Sequence, residues 1–283
     1  MTEFDGVLKG HYFIGWDVGG WNCSKNSNSR DALVILDSQG QIVGLPWRGN
    51  LSSIIHESPD QPSFIQAMFT LCKTEYLHGR VTLAIDTPLG FSDGFRTLLE
   101  GKYLDGETPN ALNPYLFRKT EQFLAGWGYT PLSSIKDMIG SQATKGMHVV
   151  AKFAANILRT GVWQNENLTI IEAYPSPCAY SELIFSMQKQ ASLSWIIDEL
   201  GNEQLLDTRL PTQDHIDALT CALIAKLFVI RPQCLTAPDN NASQKEGWIF
   251  VPKDCLQDED KIKQGMKQEL LTARTRLPFD KKQ

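Results

Sequence analysis

The sequence has few features of a membrane or secreted protein. No apolar run in its 283 residues approaches the roughly 20 residues that span a bilayer. The most apolar stretch, Leu219 to Ile230, is short and contains Lys226. The first ten residues, MTEFDGVLKG, lack the basic and then apolar pattern of a signal peptide. We therefore expect a cytoplasmic protein with no membrane partner.

The cysteines and the charge balance exclude further classes. The six cysteines are scattered, without C-x-x-C pairs or histidines at zinc spacing, so we expect reduced, mostly structural thiols. The net charge of −5 argues against a protein that coats nucleic acid through bulk charge, although a local basic groove is compatible with it. A hydrophobic content of 42% is typical of a globular protein.

The stretch from Tyr12 to Gly20, YFIGWDVGG, predicts a buried strand that ends in Asp17 and a glycine pair. An aspartate at the end of a central strand is costly to bury unless it is paired or binds a cation. The alternative is an aspartate that only caps the turn.

The segments that follow predict a mixed sheet. A strand at 32–36, a tight turn at 37–40 and a partner strand at 41–47 form a hairpin, so the first three strands are expected to be antiparallel. A helix at 61–78 precedes a strand at 81–86, and a strand, a helix and a strand imply a parallel pair.

Residues 89–168 show helical patterns and no clear strand. We interpret this segment as a helical insertion, at about 89–167, between the fourth and fifth core strands. The fifth strand then covers 169–173 and ends near Glu172. This gives one domain at 1–252, closed by an apolar extended segment at 247–252, and a charged carboxy-terminal helix and tail at 253–283.

The latter half of the insertion is basic and contains aromatic residues. Phosphates attract cations and unstacked bases pack on rings, so this composition suits a nucleic-acid groove. The alternative is a solvated helical subdomain with ordinary core aromatics. The candidate substrate-binding residues are Arg118, Lys136, Lys145 and Lys152.

The last long helix, from about Asp214 to Ile230, carries two acids near its start. On a helical wheel Asp214 and Asp217 share a face with the small residues Ala218, Cys221 and Ala225. Asp214 is explained as a residue that complements the helix dipole. Asp217 is not, because it lies on a face built for burial.

Acids thus recur at the ends of predicted core elements. Several converging carboxylates would repel one another unless divalent cations neutralise them. Oxygen ligands without His or Cys favour Mg²⁺ or Mn²⁺, and such ions can activate water for phosphodiester cleavage. The candidate catalytic residues are Asp17, Asp86, Glu172, Asp214 and Asp217.

The ordered motifs resemble a known family. The segments FIGWDVGG, AIDTPLG, RKTE, IEAYPS, DHIDALTCAL and KEGWIFVP are similar, in that order, to domain-of-unknown-function family 429. Its members are predicted ribonuclease H-like nucleases, more distantly similar to Holliday-junction resolvases. The resemblance extends to about residue 252.

This resemblance implies an α/β, ribonuclease H-like, mixed five-stranded sheet with flanking helices. It also implies that Asp17, Asp86 and Asp217 bind a metal, with Asp214 or Glu172 as a fourth ligand. Asp86 stands where resolvases commonly have a glutamate. The expected function is a metal-dependent nuclease that acts on DNA or RNA.

Two other functions stay open. An actin-like ATP-dependent phosphotransferase shares this kind of sheet and a D-x-G loop, although Trp21 stands where such loops usually have Ser or Thr. A nucleic-acid-binding module that has lost its chemistry would keep the same fold. The oligomeric state is open as well, a homodimer included.

Overall fold

A computed structural model describes residues 10–25, 30–105, 112–200 and 212–256, with side chains of the sixth helix described as far as residue 191. A mixed sheet with helices on both faces makes up the fold. Its strands are β1 His11–Asp17, β2 Asp31–Leu36, β3 Trp47–Gly49, β4 Arg80–Asp86, β5 Asn156–Arg159, β6 Val162–Asn165, β7 Leu168–Ala173 and β8 Ile249–Phe250. Its helices are α1 Ser52–Glu57, α2 Gln61–Leu71, α3 Asp93–Leu99, α4 Lys119–Gly126, α5 Gly140–Phe153, α6 Glu182–Leu200 and α7 Gln213–Ile230.

The strand order is β3-β2-β1-β4-β7-β6-β5, and β8 also pairs with β7. β1 and β2 form an antiparallel pair, as do β2 and β3, and β1, β4 and β7 are parallel to one another. The prediction of an α/β fold with an antiparallel beginning and a parallel crossover is confirmed. The carboxyl ends of β1, β4 and β7 consequently lie side by side at one edge of the sheet.

The sheet has eight strands in the described residues, so the prediction of five is wrong. Two of the additional strands, β5 and β6, lie within the segment that we expected to be helical. They form a hairpin whose turn contains Gly161, which has a φ of +75° and so suits a tight connection. The predicted tail is described only as far as residue 256, and the rest of it lies outside the described residues.

Two predicted elements also differ in their bounds. The third strand is Trp47–Gly49, because Gly44 at a φ of +70° turns the chain away and the Leu45 amide donates instead to the Cys72 carbonyl, at 2.7 Å. The helix predicted at 61–78 ends at Leu71, and Lys73 follows it with a left-handed φ of 53°.

The two faces of the sheet have separate cores. Along β1, Ile14 and Trp16 pack with α2 and α5, while Phe13 packs on the opposite face with α7. This alternation is the period of two along a strand. It decides which side of the sheet each strand-end acid faces.

Helix α7 packs on the sheet through its small residues, as predicted. Ala218, Cys221 and Ala225 are fully buried. A Cβ atom at Gly15 in β1 would lie 1.8 Å from the Ala218 carbonyl oxygen and 2.4 Å from the Ala222 nitrogen. The close approach of α7 therefore depends on the absence of a side chain at Gly15.

None of the helices in the described ranges combines the length and apolarity that crossing a bilayer would need.

We expect Gly15→Ala to lower the free energy of unfolding by about 2–4 kcal/mol, because the methyl group would force α7 away from β1. Urea unfolding measures this loss. Gly126→Ala at the end of α4 is the matched control, since a Cβ there has nothing within 4 Å. An unchanged stability of the Gly15→Ala variant would contradict the packing described here.

Candidate active site

Two strand-end aspartates stand side by side on neighbouring parallel strands. Asp17 in β1 and Asp86 in β4 are direct partners in the register, which places their backbones about 4.8 Å apart. Gly15 and Ala84, two residues earlier, both face α7. Because side chains alternate along a strand, Asp17 and Asp86 project toward that same face. Both are half-buried.

The third acid, Asp217, reaches this pair electrostatically from α7. Burial, followed by the charges of Asp86, Asp217, Asp214 and Asp31, raises the pKa of Asp17 to about 9. Burial and the charges of Asp217 and Glu172 likewise raise the pKa of Asp86 well above its ordinary value. The folded chain therefore brings three acids, Asp17, Asp86 and Asp217, near enough to oppose one another's ionisation.

The two aspartates of α7 have different partners. Arg48 Nε donates to Asp214 Oδ2 at 2.5 Å, and this ion pair compensates the negative charge of Asp214. Asp217 accepts hydrogen bonds from Gln213 Nε2 at 2.9 and 3.0 Å. The charge of Asp217 contributes to the raised pKa of both Asp17 and Asp86, whereas that of Asp214 contributes only at Asp17. Of the two, Asp217 is thus the better candidate ligand for a cation.

Glu172 is not on the same face as the aspartates. It follows Ile171, which packs on the α7 side, so the alternation of β7 turns Glu172 to the other side. Its oxygens accept from Arg118 Nη2 at 2.6 Å and Nη1 at 2.8 Å, and Oε2 also accepts from the Leu89 amide at 2.9 Å. The expectation that Glu172 is a catalytic residue and a fourth metal ligand does not agree with these bonds.

Arg118 is an interior residue and not a surface cation. Its guanidinium is 1% exposed and bridges Glu172 and Glu121, with a further bond from Nη1 to the Glu246 carbonyl oxygen at 2.9 Å. Burial by itself lowers the pKa of Arg118, but the two carboxylates outweigh it and hold the pKa above its ordinary value. Arg118 therefore cannot contact a substrate phosphate, which corrects its assignment to a basic groove.

Lys145 is likewise interior. It is fully buried, and its Nζ donates to Asp31 Oδ2 at 2.5 Å, to Asn50 Oδ1 at 3.2 Å and to the Gly20 carbonyl at 3.3 Å. Asp31 Oδ1 in turn accepts from the Gly19 amide at 2.8 Å. This ion pair fixes the position of the glycine pair that follows Asp17. Because Lys145 is buried, its assignment to a substrate-binding groove is also wrong.

The two remaining cations of the predicted groove are exposed. Lys136 lies over the Phe117 ring with its Nζ 5.3 Å from the ring centroid. Lys152 Nζ donates to the carbonyls of Ile55 and His56 at the end of α1, at 2.8 and 3.1 Å. The four cations therefore do not form one surface, and the prediction of a basic groove is wrong. Of the four, only Lys136 and Lys152 are exposed.

The sequence analysis did not identify the buried pair of Asp31 and Lys145. A signal for Lys145 was present, because Lys145, Val149 and Phe153 follow one another at a spacing of four on the buried side of α5. Asp31 gave a weaker signal, as an acid directly before the apolar run of β2.

A cleft of about 210 Å³ opens beside the aspartates. Its lining comes from the ends of β1, β4 and β7, from β8 and from the segment before α5. The lining residues are Asp17, Val18, Asp86, Thr87, Pro88, Pro131, Leu132, Ile139, Gln142, Glu172, Ala173, Tyr174 and Ile249.

Within the described parts of the chain, no three His, Cys, Asp or Glu side chains form a ready-made ligand group for a metal. The charge of Asp217 raises the pKa of both Asp17 and Asp86, but the three side chains do not already stand in such a group. Neither protein-family models nor curated proteins nor solved structures gave a match to this chain.

The raised pKa of Asp17 has a consequence for stability. The folded protein keeps this proton up to pH about 9, whereas the unfolded chain releases it near pH 3.8. The folded state is thus favoured by proton binding at low pH, and this contribution is lost as the pH rises toward 9. In a metal-free buffer, we expect Asp17→Asn to gain stability relative to the wild type across this range, as urea unfolding at several pH values would show.

Asp37→Asn is the control for this experiment, because Asp37 is also half-buried at a strand end and accepts amide bonds through Oδ1. Its stability difference from the wild type should not follow the same slope. A difference for Asp17→Asn that is independent of pH would contradict the coupling of the carboxylates.

The interior position of Arg118 gives a second prediction. Arg118→Gln leaves buried carboxylates without their cation and should cost about 3–5 kcal/mol of unfolding free energy. Lys136→Gln, at an exposed cation nearby, should change it by no more than about 0.5 kcal/mol. If urea unfolding gave the same loss of unfolding free energy for both variants, the interior position of Arg118 would be contradicted.

Proposed function

We propose that this chain is a metal-dependent nuclease with a ribonuclease H-like fold, and that Asp17, Asp86 and Asp217 hold its divalent cation. The observation that supports this most is the in-register pair of Asp17 and Asp86 facing α7. The strand order β3-β2-β1-β4-β7, antiparallel and then parallel, supports the fold that the resemblance of the motifs to domain-of-unknown-function family 429 suggested.

The donor set fits a hard divalent cation. The three aspartates supply oxygen atoms alone, which Mg²⁺ and Mn²⁺ prefer. Burial and then their mutual repulsion raise the pKa of Asp17 and of Asp86. A bound cation would relieve this repulsion and draw the three carboxylates together as its ligands. When bound at such a site, a divalent ion lowers the pKa of a water molecule and stabilises the charge on the leaving oxygen.

The chain's own residues would define where the reacting phosphate lies. Asp17 and Asp86 are held at fixed backbone positions by the sheet, and α7 brings Asp217 toward them through its close packing at Gly15. Lys145 and Asp31 fix the glycine pair behind Asp17. A displacement reaction needs accurately positioned groups, and positions fixed by a sheet and a helix are more precise than positions on loops.

The phosphotransferase alternative has less support. A phosphate loop offers free backbone amides to its ligand. Here the Gly19 amide donates to Asp31 and the Trp21 amide donates to Ser141 Oγ at 2.9 Å. The loop after Asp17 is thus bonded within the protein, and we place the chemistry at the carboxylates.

Metal binding can be tested without assuming activity. Mg²⁺ or Mn²⁺ should raise the melting temperature by mass action, because the folded state binds the ion and the unfolded chain does not. Asp17→Asn and Asp217→Asn should abolish both this rise and the cleavage of nucleic acid. Asp37→Asn should leave both intact.

A variant Asp17→Asn that cleaves nucleic acid at the wild-type rate with metal present would overturn the assignment of this site. So would a melting temperature that does not respond to either metal while cleavage proceeds, because the cleavage would then arise elsewhere.

A further inference from the structure

The cleft has two chemically different parts. Asp17 and Asp86 form its acidic end, at the carboxyl ends of β1 and β4, and Glu172, which is paired with Arg118, also lines the cleft. Most of the other lining residues are apolar. Four of them come from the segment between α4 and α5 and from the residue after β7, namely Pro131, Leu132, Ile139 and Tyr174. We refer to these four residues as the apolar wall.

The cleft is unsuited to a long run of nucleic-acid backbone. Such a backbone is bound chiefly by rows of Lys and Arg, and among the described residues that line the cleft none is Lys or Arg. Two cations that could have served, Arg118 and Lys145, are buried and paired with carboxylates. A bound divalent ion would therefore supply the positive charge there, next to a single phosphate.

The size of the cleft also favours a small group. Its volume of about 210 Å³ is below the roughly 300–1,000 Å³ of pockets that enclose whole ligands. Tyr174 is half-buried, packs against the apolar cluster of Leu124, Ile249 and Val251, and lines the cleft. Leu132 remains 53% exposed, so apolar surface is available on the wall. A flat aromatic group is what such a ring and aliphatic wall bind well.

Resting on the proposed function, we infer that the cleft takes one unpaired nucleotide, with its phosphate at Asp17 and Asp86 and its base on the apolar wall. A base within a duplex is stacked and paired, and it reaches such a wall only after it is extruded from the stack. The preferred substrate is therefore a single strand or an unpaired end of DNA or RNA.

The first experiment measures binding with ligands that have no diester bond to cleave. Thymidine 5′-monophosphate and deoxyribose 5-phosphate share the sugar and the phosphate and differ in the base. In calorimetry with Mn²⁺, we expect the nucleotide to bind about tenfold more tightly, or about 1.4 kcal/mol, because its base stacks on the wall. Equal affinities would overturn the inference.

Variants then locate the base. Tyr174→Ala should reduce the affinity for the nucleotide to that for deoxyribose 5-phosphate, without changing the latter, and Tyr174→Phe should restore it. Should Tyr174→Ala not fold, Leu132→Ala gives the same test at an exposed position. Met138→Ala is the matched control, since Met138 is 100% exposed and lies outside the lining. If Tyr174→Ala and Leu132→Ala both keep the wild-type affinity for the nucleotide, the apolar wall is not the base site.

A second experiment separates this inference from the proposed function. A short single strand should be cleaved with Mn²⁺ at least about tenfold faster than the same strand in a duplex, since the duplex must first extrude a base. Equal cleavage of both would overturn the inference and leave the nuclease assignment standing. Base-dependent binding without cleavage of any strand would support the inference and contradict the nuclease assignment.

Discussion

The buried guanidinium of Arg118 holds together four segments that are distant in sequence. It binds Glu121 in α4, Glu172 at the end of β7 and the Glu246 carbonyl before β8, and Glu172 in turn accepts the Leu89 amide beyond β4. Three of these segments, those at Leu89, Glu172 and Glu246, contain or adjoin residues that line the cleft. A buried cation with its carboxylates is costly to disrupt, so this cluster keeps the insertion, the sheet edge and β8 in one arrangement.

The acidic end of the cleft depends on a different constraint, the register of β1 and β4 and the alternation along them. Because Asp17 and Asp86 are register partners that face α7, the fold sets two like charges beside each other at the edge of an apolar core. Such an arrangement costs stability unless the charges are neutralised. Proteins retain costs of this kind mainly at functional sites, which is why we place the chemistry here.

Much of this arrangement could be predicted from the sequence. The α/β class, the antiparallel beginning, the parallel pair and the small face of α7 followed from periodicity and turn residues, because these patterns are local. The strand ends at Asp17 and Asp86 were also correct to the residue. The hairpin of β5 and β6 was missed because its strands are short and exposed on β5, which weakens the alternation that marks a strand.

The errors at the site have a common physical cause. Charge composition indicates how many cations a segment carries but not which of them are neutralised inside the fold. Arg118 and Lys145 were expected on a surface, and both are buried with carboxylate partners from other segments. Likewise, the position of Glu172 near a strand end suggested a metal ligand. The alternation along β7 instead turns Glu172 to the other side of the sheet, where it pairs with Arg118. Partners that are distant in sequence cannot be identified from spacing alone.

The most direct test of the central claim is a crystal of the wild-type protein soaked in Mn²⁺, with the ion located by anomalous scattering. We predict an anomalous peak bound by oxygen atoms of Asp17 and Asp86, with Asp217 completing the protein ligands, and no peak at this position in an Asp17→Asn crystal. An anomalous map with no peak near these aspartates, or a peak held by Glu172 in place of Asp217, would contradict the account.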